Sequence, residues 1–298
     1  MEVRRMTAQS LVNRLRSVSE DTQKQAAREL RLLARRDDEN RGCIAGAGAV
    51  PSLIELLYST DTELQVNCIT ALLNLSIYGP NKEAIMSTRG ALDAIVHVLK
   101  LGQSMEAKQN SAAVIFSLNT VENYRAIFGD RPAVVRGLLD LIRMGNPKCT
   151  KDALKALFHL ALHPLNRSKM VSAGVVAVLF SLVMNSSMGL VEDATAVLAQ
   201  IAACSESAQG FQKVFGVQVL LDLLDTGSPR AQENVASALL NLVQCGGECV
   251  VADILDTETA VTLLSDLLDT GTPRCKSKVS SLLKLLGARE RRPMSAAF

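Results

Sequence analysis

The stretch NRGCIAGAGAVPSLIELLYSTDTELQVNCITALLNLS, Asn40 to Ser76, carries three helical signals in succession. Asn40-Arg41-Gly42-Cys43-Ile44 begins a short first helix, and Gly46-Ala47-Gly48 breaks it, because a sharp helix-to-helix turn needs a residue that tolerates positive φ. Val50 to Leu57 forms a second helix, with Pro51 in a first turn where the missing N–H breaks no helical bond. Thr60-Asp61 supplies cap candidates. Glu63 to Leu75 is a third helix, whose Val66, Ile69, Leu72, Leu73 and Leu75 recur mostly at three- and four-residue steps.

This pattern returns along the chain. The last apolar residues of the second helices are Leu15, Leu57, Leu99, Ile142, Val183, Leu224 and Leu268, in steps of 41 to 44 residues. A second ladder, midway down the following helix, reads Arg31, Asn74, Ser117, His159, Gln200, Asn241 and Lys284 with the same period. Gly145-Asn146-Pro147, Gly227-Ser228-Pro229 and Gly271-Thr272-Pro273 repeat one grammar, in which Gly closes a helix, a short polar residue caps the next and Pro enters its first turn. A period near 42 with three helices per unit, the first one short, predicts an all-α, right-handed armadillo-repeat superhelix (an α-solenoid) of about seven units. The units fall at about 1–36, 37–79, 80–122, 123–163, 164–205, 206–246 and 247–288, making one repeat domain over 1–288. Residues 289–298 are expected to be a frayed tail, since Gly287 to Pro293 offers no apolar face. Two turns depart from the grammar: Phe215-Gly216 is shifted, and Asp256-Thr257-Glu258-Thr259 has no Gly.

Of 298 residues, 48% are apolar but only 3% aromatic, with no Trp, so Leu, Val, Ile and Ala must fill the core. A net charge of +2 argues against nucleic acid or an anionic membrane as the main partner. No apolar run approaches the roughly 18 residues that span a bilayer. Seven scattered Cys read as reduced thiols, which points to the cytoplasm or nucleus.

Stepping back seven residues from the midway ladder gives Lys24, Asn67, Asn110, Asp152, Asp193, Asn234 and Ser277, all polar among apolar neighbours. Residues seven apart share a stripe of a helix. Asn67, Asn74, Asn110, Ser117, Asp152, His159, Asp193, Gln200, Asn234, Asn241 and Lys284 therefore form the candidate partner-binding track on the concave face of the solenoid. Charges at Asn74 and Asn241 are expected to weaken a partner without unfolding the domain. Some of these Asn and Asp side chains also suit backbone bonds between units. No catalytic or metal-binding residue and no cofactor is assigned: His159 and His163 lack a completing His-Glu motif, and Cys245-Gly246-Gly247-Glu248-Cys249 reads as a loop. The N-terminal arginines, Arg28, Arg31, Arg35 and Arg36 among them, interleave with acids and read as a solvated capping repeat, with an anionic-lipid or phosphoprotein contact as the alternative.

Several segments go beyond a generic repeat. Ala26 to Ala34, Glu39-Asn40-Arg41 and Ala47 to Pro51 resemble the first armadillo units of plant U-box ubiquitin ligases. So do Thr70 to Tyr78 with Asn81-Lys82, Asn110 to Ala113 with Phe116 to Leu118, Lys151 to Phe158 and Thr270 to Arg274. The resemblance covers nearly the whole chain and is strongest to the branch linked to defence signalling and cell death. It implies a domain that recruits substrate proteins, such as receptor-kinase cytoplasmic domains. The ubiquitin-conjugating enzyme would be reached only through a U-box of about 70 residues, the size of a small domain. Nothing here resembles a U-box, so the chain is expected to be the targeting half of such a ligase, or an adaptor without one. Membrane contact would be indirect.

Overall fold

A computed structural model describes residues 2–185 and 188–290. All regular structure among them is helical. The chain divides into two compact units, Met1–His159 and Leu160–Phe298.

In the first unit, α1 (Glu2–Leu15) and α2 (Glu20–Ala34) form an opening pair without a short first helix. Two complete triplets follow: α3 (Asp38–Gly46), α4 (Ala49–Leu56) and α5 (Thr62–Ile77), then α6 (Gly79–Ser87), α7 (Ala91–Leu101) and α8 (Met105–Asn119). The unit continues with α9 (Glu122–Gly129), α10 (Pro132–Arg143) and α11 (Pro147–Ala161), the last as far as His159. The second unit holds α12 (Pro164–Ser172), α13 (Val175–Asn185) and α14 (Met188–Ile201). Next come α15 (Ser207–Gln212), α16 (Gly216–Thr226) and α17 (Pro229–Gly246), then α18 (Glu248–Leu255), α19 (Ala260–Thr270) and α20 (Pro273–Glu290). The tail expected over 289–298 is thus helical as far as Glu290, and residues 291–298 lie outside the described residues. Among the described residues no single helix is long and apolar enough to cross a membrane.

Within each unit, long third helices lie beside their counterparts in the next repeat. In the first unit α2 packs on α5 and α5 on α8; in the second α14 packs on α17 and α17 on α20. Second helices back them, as α4 backs α5 and α16 backs α17. Helices this short are marginal alone, so burial of apolar side chains between repeats supplies the stability. Leu30, Leu53, Leu57, Ile69, Leu72 and Leu75 are fully buried, as are Leu220, Leu239 and Leu242 in the second unit. All seven cysteines are free thiols, and burial pushes the Cys68 thiol far above its ordinary value, which keeps it unreactive.

Third helices begin where the polar caps stand. Asp61 Oδ1 accepts from Leu64 N at 2.8 Å, Ser104 Oγ from Ala107 N at 3.1 Å, Asn146 Oδ1 from Cys149 N at 3.2 Å and Ser228 Oγ from Ala231 N at 3.3 Å. Each satisfies one amide that the first helical turn leaves without a partner.

Several of the turns from first to second helix place one left-handed residue just before the second helix. Gly48 (φ 80°), Gly90 (φ 78°) and Gly174 (φ 84°) provide it. Before α16 the residue is Phe215, at φ 52° and 81% exposed. The shift has a packing cause. A Cβ on Gly216 would sit 2.8 Å from the Phe180 ring and 3.1 Å from the Phe211 carbonyl oxygen, so the glycine is required one place later. Phe215 then takes the strained backbone, which costs a non-glycine residue about 1–2 kcal/mol. Phe215→Gly is expected to stabilise the chain by about 1 kcal/mol, because relief of strain outweighs the added freedom of the unfolded chain. A higher urea midpoint at unchanged slope checks it. Before α19, Thr259 is right-handed (φ −89°), so that turn manages without a glycine.

Candidate partner-binding cleft

The third helices carry the polar ladder, and most of its side chains tie one repeat to the next. Asn74 Nδ2 donates to the Arg31 carbonyl at 3.0 Å, and Asn241 Nδ2 to that of Ala199 at 2.9 Å. Asn234 Nδ2 donates to the Glu192 carbonyl at 3.0 Å. Asn110 Nδ2 donates to Thr70 Oγ1 at 2.7 Å, and Asn67 Oδ1 accepts from Arg31 Nη1 at 3.1 Å. Ser117 is buried and donates to the Ser76 carbonyl at 3.0 Å. Asp152 accepts from Gln109 Nε2 at 2.9 Å. Asp193 lies 3.8 Å from the Arg230 guanidinium. Gln200 is half-buried on α14, and Lys284 is exposed on α20. His159 is half-buried on α11, edge-on to Phe116 (centroids 5.0 Å apart), and burial holds its imidazole below the ordinary histidine value. His163 is the residue just before Pro164 at the start of α12. Among the described residues no three metal-ligating side chains come together.

These bonds correct one expectation. Asn74 and Asn241 hold neighbouring repeats through their amides, so a charge at either disturbs the stack along with any binding surface. Substitutions that probe binding belong on exposed neighbours.

A third ladder was not legible as such. Asn81 Nδ2 donates to the Leu75 carbonyl at the end of α5 (3.2 Å), and Asn166 Nδ2 to the Leu160 carbonyl near the end of α11 (2.9 Å). The next residue is basic. Arg167 Nε donates to the Ala161 carbonyl at 2.9 Å, as Arg41 Nε does to that of Ala34 at 2.9 Å. Lys82 Nζ instead reaches forward to the Ser117 carbonyl at 2.8 Å. Cations and amide donors suit the carbonyl-rich end of a helix. The signal was visible as Asn40-Arg41, Asn81-Lys82 and Asn166-Arg167, one and then two repeats apart.

Within the first unit, α2, α5 and the start of α8 line an open cleft of about 800 Å³. Its α2 wall presents Arg28, Arg31, Leu32 and Arg35; Val66 and Asn67 lie beneath, and Glu63 and Glu106 face across. Arg31 is engaged with Asn67 and, at 3.4 Å, with Glu106. Arg28 and Arg35 are exposed, and Leu32 is 49% exposed. The cleft therefore joins open guanidinium groups to an apolar side chain, a combination suited to binding and not to bond chemistry.

Three-helix repeats with capped third helices side by side define an armadillo-repeat α-solenoid. The chain belongs to the family described as the plant U-box protein ARM repeat region, whose sequence profile matches residues 8–296. It is similar to U-box domain-containing protein 16 of Arabidopsis thaliana, with 35% identity over 76% of this chain and 33% of that protein. U-box domain-containing protein 17 of the same plant is 39% identical over 86% of this chain and 35% of that protein. U-box domain-containing protein 1 of Medicago truncatula is 39% identical over 84% and 36%. The chain thus spans about a third of the length of these relatives. Among solved structures, an engineered protein superposes with a TM-score of 0.86 at 27% identity, covering 94% of this chain and 68% of its own. A designed armadillo repeat protein matches with a TM-score of 0.52 at 20% identity, over 93% of this chain and 99% of its own.

Proposed function

We propose that this armadillo region gathers target proteins for ubiquitin transfer by a U-box ligase. The observation that carries the reading is the match of residues 8–296 to the armadillo region of proteins that also contain a U-box. The chemistry required of this chain is proximity: a bound target is held where a ubiquitin-charged conjugating enzyme on the U-box can reach its lysines. Receptor-kinase cytoplasmic domains in plant immune signalling are the targets proposed from the segments that resemble the defence branch, and the cytoplasm or nucleus is the proposed compartment.

The test joins the chain to a U-box and follows ubiquitination of the proteins that co-purify with it. Leu32→Asp with Arg35→Glu is expected to remove most of that set while the melting temperature stays within a few degrees, since both side chains are exposed. A ubiquitinated set no different from that of the U-box alone would overturn the reading, whereas an identical set from both forms would move the binding surface away from this cleft.

A further inference from the structure

The geometry points to an acidic, extended peptide segment with an apolar side chain as the occupant of the α2–α5–α8 cleft. This rests on the recruitment reading and adds the chemistry of what is recruited. Arg28, Arg31 and Arg35 stand at steps of three and four residues, so they share one stripe of α2. Over seven residues a helix rises about 10.5 Å, so the outer two guanidinium groups are set apart like carboxylates about three residues apart on an extended chain. The three are all arginine, whose planar fork binds carboxylates in pairs of hydrogen bonds.

The cleft's charge is only partly answered from within. Glu106 pairs with Arg31 at 3.4 Å, while the side chains of Arg28 and Arg35 face solvent. Leu32 lies between these groups in sequence and shares the wall, with Val66 beneath, which gives an apolar residue of the segment a place to land. The cleft is open to solvent along α2, and Glu63 and Glu106 line it beside the arginines. Those two carboxylates oppose a uniformly anionic bilayer surface, whereas a peptide can set its acids against the arginines and its apolar side chain against Leu32, which favours a peptide over a lipid surface.

Fluorescence anisotropy with two labelled peptides tests the inference on the whole chain. One carries Glu at every third position with Leu and Ser between; the other carries Lys at those positions in the same frame. The acidic peptide is expected to bind more tightly, and its affinity to fall as salt shortens the screening length to about 8 Å and below. Arg28→Gln with Arg35→Gln is expected to weaken it about tenfold, as loss of two rim charges would. Unfolding curves run alongside confirm that the variant folds. If the basic peptide binds instead and Glu63→Lys releases it, the cleft remains a binding surface and the acidic partner is wrong. If neither peptide binds, or the glutamine variant holds the acidic peptide as tightly as the parent, the inference fails.

Discussion

Asn81→Asp is expected to destabilise the first unit by about 3–5 kcal/mol at neutral pH, although the side chain keeps its size. Asn81 is 4% exposed, and its amide nitrogen donates to two carbonyls, Leu75 at 3.2 Å and Arg41 at 3.1 Å. An aspartate turns a donor into an anion facing two carbonyl oxygens. It loses two hydrogen bonds worth about 0.5–1.5 kcal/mol each and leaves a buried charge without a partner. Asn81→Leu separates these terms. Both carbonyls keep a second donor in their own helix or turn, as Leu75 keeps Tyr78 N at 3.2 Å, so the leucine is expected to cost only about 1–2 kcal/mol. The aspartate variant should also recover as pH falls. Burial raises its folded pKa above the unfolded value of about 3.9, so native stability is greatest below that value and is lost as pH rises through the folded pKa. Urea midpoints of the three proteins at pH 7 and pH 4 decide the matter. Equal losses for Asp and Leu at pH 7 would mean that packing, not the donor, matters at this site.

This dependence on a neighbouring repeat explains which features a sequence reading reaches. The period, the caps at Asp61, Ser228 and Thr272 and the left-handed glycine at Gly48 are local signals, each readable within a few residues. The partner of Asn74 is the carbonyl of Arg31, and that of Asn241 is the carbonyl of Ala199, each about one repeat away. An asparagine at such a position looks the same in sequence whether its amide meets a backbone carbonyl or a ligand. Arg28 and Arg35 pose the converse problem. Read along α2 they form a solvated face, and only the placement of α5 and α8 beside α2 makes them one wall of a cleft. Phe215 was legible as an irregular turn, but its reason, the Phe180 ring against Gly216, needed the packing of α13 on the following repeat.

The same ring is the centre of the largest effect expected in the second unit. Phe211 is 1% exposed and meets Phe180 edge-on, with centroids 5.2 Å apart and planes at 87°. Such a pair adds about 0.5–1.5 kcal/mol to the burial of each ring. Phe211→Ala is therefore expected to cost about 3–5 kcal/mol, the usual range for emptying an aromatic site in a core. The loss should concentrate locally. Phe211 lies on α15, which has six residues and no side-chain cap at its first turn, so this helix depends on its contacts with α13, α16 and α17. Without the ring, Phe180 loses its neighbour and the tight seat against Gly216 loosens with it. Hydrogen exchange should show the amides of α15 and the start of α16 losing protection, while α5 and α8 in the first unit keep theirs. Phe211→Leu, which retains most of the apolar volume, should recover more than half of the loss. Uniform loss of protection across both units would mean that the repeats unfold as one cooperative body and that α15 has no separate weakness.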